Sequence, residues 1–136
     1  MNKPNLEDAL KFSGLSGNPN EYSALSMAYI GDCVYEIYVR SYLLSKGNRR
    51  VNELHRMATR YVCAKAQAEF YYKIKDILTD DENSVFHRGR NTKSHPPKNA
   101  DVIEYKIATG IEALIGSLYI EGKSERISEL MSYLFV

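Results

Sequence analysis

Two carboxylates occupy positions where a helical pattern calls for hydrophobes. Asp32 lies in residues 24–40, ALSMAYIGDCVYEIYVR, which read as one helix. At about 100° per residue, Leu25, Ala28, Val39 and Leu43 fall near its azimuth. Asp32 is therefore expected to project from an apolar, small-residue stripe. Glu112 repeats the anomaly. Ala108 and Thr109 precede it by one turn, Ile115 and Gly116 follow by one, and Tyr105 and Tyr119 lie two turns away. A buried, unpaired carboxylate is strongly destabilising unless its pKa shifts. A bound cation compensates it; so does a nearby Arg or a helix end, and spacing alone leaves both open.

Small residues at 108 and 116 permit a close helix–helix approach. If the two faces meet, like charges repel, and either one acid takes a proton or a cation lies between them. Such oxygen ligands suit Mg²⁺ or Mn²⁺, with waters completing the octahedron. An ion of this kind polarises a phosphate and activates a water. Glu36, one turn after Asp32, can ligate directly or through water. Pairing with Arg40 at i+4 is the plainer role and the favoured one.

The elements that must hold these acids are helical. Residues 6–12 predict a short first helix, with Asn5 as cap and Glu7 and Asp8 in its first turn. Gly14, Gly17 and Asn18-Pro19-Asn20 end it. The Asp32 helix runs from about Ser23 to Lys46, where Gly47 offers a left-handed cap. Asn52 is expected to cap the next helix, with Glu53 just inside. Leu54, Met57, Ala58, Tyr61, Val62 and Cys63 mark its apolar face. Residues 64–74 continue helical, with or without a break. Thr79-Asp80-Asp81-Glu82 is a capping box opening a helix to about Arg90. Residues 89–99 read as loop, since Asn91, Ser94 and Pro96-Pro97 oppose helix. Asn99 or Asp101 starts the Glu112 helix, which Gly122 closes. Ser124 caps a last helix with Ile127, Leu130, Met131 and Leu134 inward. No segment shows strand alternation, so the fold class is all-α.

A chain of 136 residues is expected to form one domain with a single core, its residues 1–22 a variable leading segment. No apolar run approaches the roughly 20 residues of a membrane span, and residues 1–5 hold no apolar signal core. Cys33 and Cys63 sit in apolar helical patterns and predict buried free thiols in a reducing cytoplasm. His55, His87 and His95 show no ligand spacing, and no Cys/His cluster suggests zinc.

The net charge of +1 hides an asymmetry. Lys46, Arg49, Arg50, Arg56, Arg60 and Lys65 face Glu53 alone, and Arg88, Arg90, Lys93 and Lys98 have no acid among them. A locally basic face on a neutral chain suits a polyanion partner; a solvated helix face is the plain alternative. The positive 89–99 stretch is long for a compact domain and reads as a binding loop or as a connector.

The stretch Ala28-Tyr29-Ile30-Gly31-Asp32-Cys33-Val34-Tyr35-Glu36 resembles the signature helix of the ribonuclease III catalytic domain, roughly LEFLGDAVL. Glu112-Ala113-Leu114-Ile115-Gly116-Ser117-Leu118-Tyr119 is similar to that family's second motif, roughly DTFEALIGAIYL. Arg88-Gly89-Arg90-Asn91-Thr92-Lys93-Ser94 and Pro97-Lys98-Asn99 resemble its compact bacterial branch.

The resemblance implies a ribonuclease III catalytic fold and a homodimer whose two sites each cut one strand of double-stranded RNA. The ends it implies are 5′-phosphate and 3′-hydroxyl, and the substrate is the large-subunit (23S) rRNA precursor. Asp32 matches the signature aspartate and Glu112 the essential glutamate, so both are the implied catalytic residues and ligands of Mg²⁺, with Mn²⁺ able to substitute. Full-length members place a Glu at the position of Ala28 and an Asp at that of Thr109. The compact branch looks similar to this chain at both, which implies fewer protein ligands and more water around the metal. With no room for a double-stranded RNA-binding domain, Arg49, Arg50, Arg56, Arg60, Arg88, Arg90, Lys93 and Lys98 are the expected grip on RNA phosphates. A catalytically silent RNA-binding dimer and a helical scaffold are the competing readings.

Overall fold

A computed structural model describes residues 6–136, and every element among them is helical. Helix α1 spans Leu6–Ser13, α2 Ala24–Ser45, α3 Val51–Val62 and α4 Ala64–Ile74. Helix α5 spans Asp80–Arg90, α6 Val102–Ile120 and α7 Ser124–Met131, with short 3₁₀ turns at Pro19–Glu21, Lys75–Ile77 and Ser132–Phe135. Asn5, expected to cap α1, lies outside the described residues.

Helix α6 is the axis of the molecule. Asp101 caps it by accepting from the Glu104 N–H at 3.0 Å. From Ile107 to Ile120 every residue but Glu112 is buried. A segment apolar on all sides must be wrapped by other helices, and α2, α4, α5 and α7 pack around it. Gly122, at φ +75°, ends it in a Schellman motif: the Gly122 and Lys123 N–H groups donate to the Tyr119 and Leu118 carbonyls at 2.9 Å.

Helix α2 starts where Ser23 accepts from the Ser26 N–H at 3.1 Å. It buries Met27, Ala28, Gly31, Val34, Tyr35, Val39 and Leu43. Its crossing with α6 brings the two backbones into direct contact. A Cβ added to Gly31 would overlap the Glu112 carbonyl, and one added to Gly116 would overlap the Met27 carbonyl. The two backbones therefore touch reciprocally, which only glycine at both positions permits. Gly89 plays a similar part between α5 and α6, where an added Cβ would lie 2.7 Å from the Ala113 Cβ.

Several local expectations are corrected. Gly89 and Arg90 belong to α5 and not to the loop, because Gly89 is packed against α6. Arg50, not Asn52, stands at the start of α3 with no side-chain cap bond; the Arg50 carbonyl already accepts from the Leu54 N–H at 3.0 Å. Lys123 precedes α7, and Ser124 is its first residue. Gly47 is not left-handed, since Lys46 and Gly47 close α2 with bonds to Leu43 and Leu44. Cys33 and Cys63 are free, as expected, but exposed. Cys33 falls on the outer face of α2. Cys63 is the extended break between α3 and α4, at φ −68° and ψ 158°.

The expected capping box is present: Thr79 Oγ1 and Glu82 exchange bonds with each other's main-chain N–H. Glu82 also receives Arg126 from α7 at 2.8 and 2.9 Å, while that guanidinium donates to the Ile77 carbonyl at 2.6 Å. This largely buried fork–fork pair holds Glu82 below its ordinary carboxylate pKa and ties the ends of three segments together.

Candidate active site

Gly31 rests on the Glu112 carbonyl, and this backbone contact sets Asp32, the residue after Gly31, beside Glu112. Asp32 is exposed, contrary to the expected apolar burial. Ala28, Val39 and Leu43 on its azimuth are buried, but Leu25 is 45% exposed, so this line is the rim of the buried face. Glu112 is the more enclosed acid. Burial raises its pKa first, the adjoining Asp32 raises it further, and together they push it up to about 8. The Gln67 side chain also lies beside Glu112 and acts in the opposite direction, favouring the ionised form. Glu36 adds a weaker repulsion. It also pairs with Arg40 at 3.3 Å, the plainer of the two roles expected for it.

Among the described residues no group of three or more His, Cys, Asp or Glu side chains converges as a metal cage. Ala28 is buried, and the Thr109 hydroxyl is spent on the Tyr105 carbonyl at 3.0 Å. The protein thus offers two adjacent carboxylates and no soft donors at this point. That set fits a hard cation that keeps much of its water, and does not fit a zinc cage.

Gln67 was missed by sequence reasoning, although a signal existed. It precedes Phe70 by three and Ile74 by seven, so an amide sits in the apolar stripe of α4. It is 2% exposed.

The basic residues are not all gathered together. Arg49, Arg56 and Arg60 line one depression of about 320 Å³ on α3, with Glu53 and Met57 between them. Arg49 is paired with Glu53 at 2.8 Å, and Arg50 begins the helix. Arg88 lines a different, polar cavity of about 660 Å³ with Asp81, Glu82, Glu121 and Lys123. Arg90 is half-buried and bonds Asn91 at 3.4 Å, whereas Lys93 and Lys98 stand exposed on the loop after α5. That loop turns at Asn99, which is left-handed at φ 71°.

Residues 25–123 match the ribonuclease III domain. The chain is 47% identical to the Mini-ribonuclease 3 of Enterococcus faecalis, over 83% of this chain and 88% of that protein. It is 50% identical to the Mini-ribonuclease 3 of Symbiobacterium thermophilum, over 84% and 88%. For that of Brevibacillus brevis the identity is 46%, over 89% and 91%. A crystal structure of a Fusobacterium nucleatum protein superposes with a TM-score of 0.77 at 33% identity, covering 84% of this chain and 92% of that one. With its domain match, these relatives and the shared all-helical fold, the chain belongs to the ribonuclease III family of double-stranded RNA endonucleases, in its compact Mini-ribonuclease 3 branch.

Proposed function

We propose that Asp32 and Glu112 are the catalytic pair of this endoribonuclease and hold Mg²⁺, for which Mn²⁺ substitutes. One observation carries the reading. Two helices touching through glycine bring an enclosed carboxylate beside a second one, and burial together with repulsion holds Glu112 near pKa 8. A divalent cation relieves that repulsion and favours the ionised pair. Bound there, it supplies a Lewis acid for a phosphate oxygen and acidifies water.

The chain's own residues do the rest. Exposed Asp32 opens the pair to a substrate from the surface, while Glu112 is anchored from the core by α6. Glu36, steadied by Arg40, stands close enough to orient a water. Hydrolysis adds water across one P–O3′ bond, leaving a 5′-phosphate and a 3′-hydroxyl. Arg49, Arg50, Arg56, Arg60, Arg88, Arg90, Lys93 and Lys98 hold the RNA phosphates. The spread of these cations over separate elements suits a long duplex more than a small anion.

The functional unit is a homodimer. Leu25, Tyr29, Cys33 and Ile37, four residues apart along α2, form an exposed stripe, with Tyr29 80% exposed. Such a stripe on an otherwise well-packed helix suits a second copy. The family resemblance points to the large-subunit rRNA precursor as substrate and to the cytoplasm as location, where two exposed thiols stay reduced. No described helix is long and apolar enough to cross a membrane.

The test is an RNA duplex incubated with wild type, Asp32→Asn and Glu112→Gln, in Mg²⁺ and in EDTA. Wild type cuts only with Mg²⁺, and both variants bind without cutting. Equal cutting by either variant refutes the assignment. Binding without cutting by wild type on several duplexes supports a silent RNA-binding dimer instead.

A further inference from the structure

Gln67 does more than fill space. A primary amide has an NH₂ end with two donors and an oxygen with two acceptor lone pairs. Here one N–H donates to the Val62 carbonyl at 3.2 Å, a carbonyl freed by the chain break at Cys63. The same side chain lies beside the Glu112 carboxyl and favours its ionised form. The Val62 carbonyl is an acceptor, and so is the Glu112 carboxylate once a cation has displaced its proton; in that state the NH₂ end must face both and Oε1 must face elsewhere. Flipping the amide would set oxygen against oxygen. Oε1 is buried and has no partner among the described residues.

A residue that served only to fill the stripe of Phe70 and Ile74 would do better as an apolar side chain. Capping the end of α3 explains one N–H and leaves the oxygen unexplained. A buried carbonyl oxygen without a donor is a standing penalty, and each such atom calls for a reason.

We propose that Gln67 is a positioning residue of the metal site, whose N–H fixes the Glu112 carboxylate beside Asp32 and whose Oε1 accepts from a water that enters with the cation. The inference rests on the reading of Asp32 and Glu112 as the ligand pair. A site with two protein carboxylates leaves most of the coordination to water, and those waters need acceptors around them. Glu36, held by Arg40, serves such a water from the α2 side. Gln67 offers a carbonyl oxygen without adding a third negative charge to a pair that already repels. It also comes from α4, so it gives Glu112 a support independent of the α2–α6 crossing.

Gln67→Met keeps the length of the side chain and removes both ends of the amide. The probe is Mn²⁺ alone, titrated into the full chain by calorimetry without RNA, beside wild type and Asp32→Asn. Q67M is expected to melt within a few degrees of wild type and to bind duplex RNA normally in EDTA. Its Mn²⁺ affinity falls about 10- to 100-fold. On duplex RNA at fixed Mg²⁺, kcat falls with KM unchanged, and raised Mg²⁺ restores part of it.

If Asp32→Asn loses Mn²⁺ while Q67M binds it within twofold of wild type, Gln67 is structural and this inference alone fails. Should wild type bind no Mn²⁺, or Asp32→Asn bind it equally, the ligand pair fails and takes the inference with it. Should Q67M not fold, wild type decides by NMR. The Gln67 side-chain NH₂ resonances shift as Mg²⁺ saturates the site, and resonances that stay put overturn the proposal.

Discussion

Glu112→Gln should stabilise the metal-free protein, and by an amount that grows with pH. The Glu112 carboxyl is raised from 4.5 to about 8, first by burial and then by Asp32. Between those values the folded chain holds a proton that the unfolded chain has released. Stability therefore falls as pH rises through the window and levels off above pH 8. From pH 6 to pH 9 the group stays protonated over about two pH units, a loss of roughly 3 kcal/mol at most. Glu112 is only partly enclosed and Asp32 is exposed, so solvent screening brings this to about 1–2 kcal/mol. For a chain of this length that is ~4–8 °C in melting temperature. The assay is thermal unfolding in EDTA at pH 6 and pH 9, for wild type and E112Q. Taking the difference between the two proteins cancels every other titrating group. The gap should open in favour of E112Q at pH 9, and Mg²⁺ should close it by stabilising wild type alone. A gap of equal size at both pH values would show that the carboxylates do not strain one another, and the electrostatic argument would be wrong.

Gly31→Ala drives a methyl into the Glu112 carbonyl and should destabilise by about 2–4 kcal/mol; a neutral urea-unfolding result would mean the helices part without penalty. Glu82→Ala removes half of the capping box and the partner of Arg126, for a loss of ~2–4 kcal/mol in the same assay. Arg88→Ala, Arg90→Ala and Lys93→Ala together should weaken duplex binding and flatten the slope of log affinity against log salt by about 2–3; an unchanged slope removes the end of α5 and the loop after it from the RNA grip. Leu25→Lys with Tyr29→Lys should yield a folded monomer by sedimentation velocity, because both side chains are already exposed in the single chain.

What the sequence disclosed was mostly local. Ser23, Thr79, Glu82 and Asp101 announce helix starts because a short side chain reaches a nearby N–H in any context. The same rule misled at Asn52 and Ser124, where neighbours one or two residues earlier already begin the hydrogen-bond ladder. The pairing of Asp32 with Glu112 could be anticipated from small residues at 108 and 116. The contact itself falls at Gly31, one position before Asp32, and at Gly116, one turn after Glu112. Periodicity gives an azimuth, not a depth. It placed Cys33, Cys63 and Asp32 on apolar patterns, yet each lies where a face turns outward or a helix breaks. Gln67 escaped notice because a lone amide in a helix is unremarkable until its neighbours on α6 are known.

The glycine crossing has one more consequence. The spacing between the two acids is set where main chain rests on main chain, with no side chain between to trim or to pad. Substitution around the site can alter its charge, its wetness and its access, but has little purchase on its width. The crossing is therefore a fixed gauge: substitutions around the pair change its surroundings, while the distance across it stays set by the two backbones.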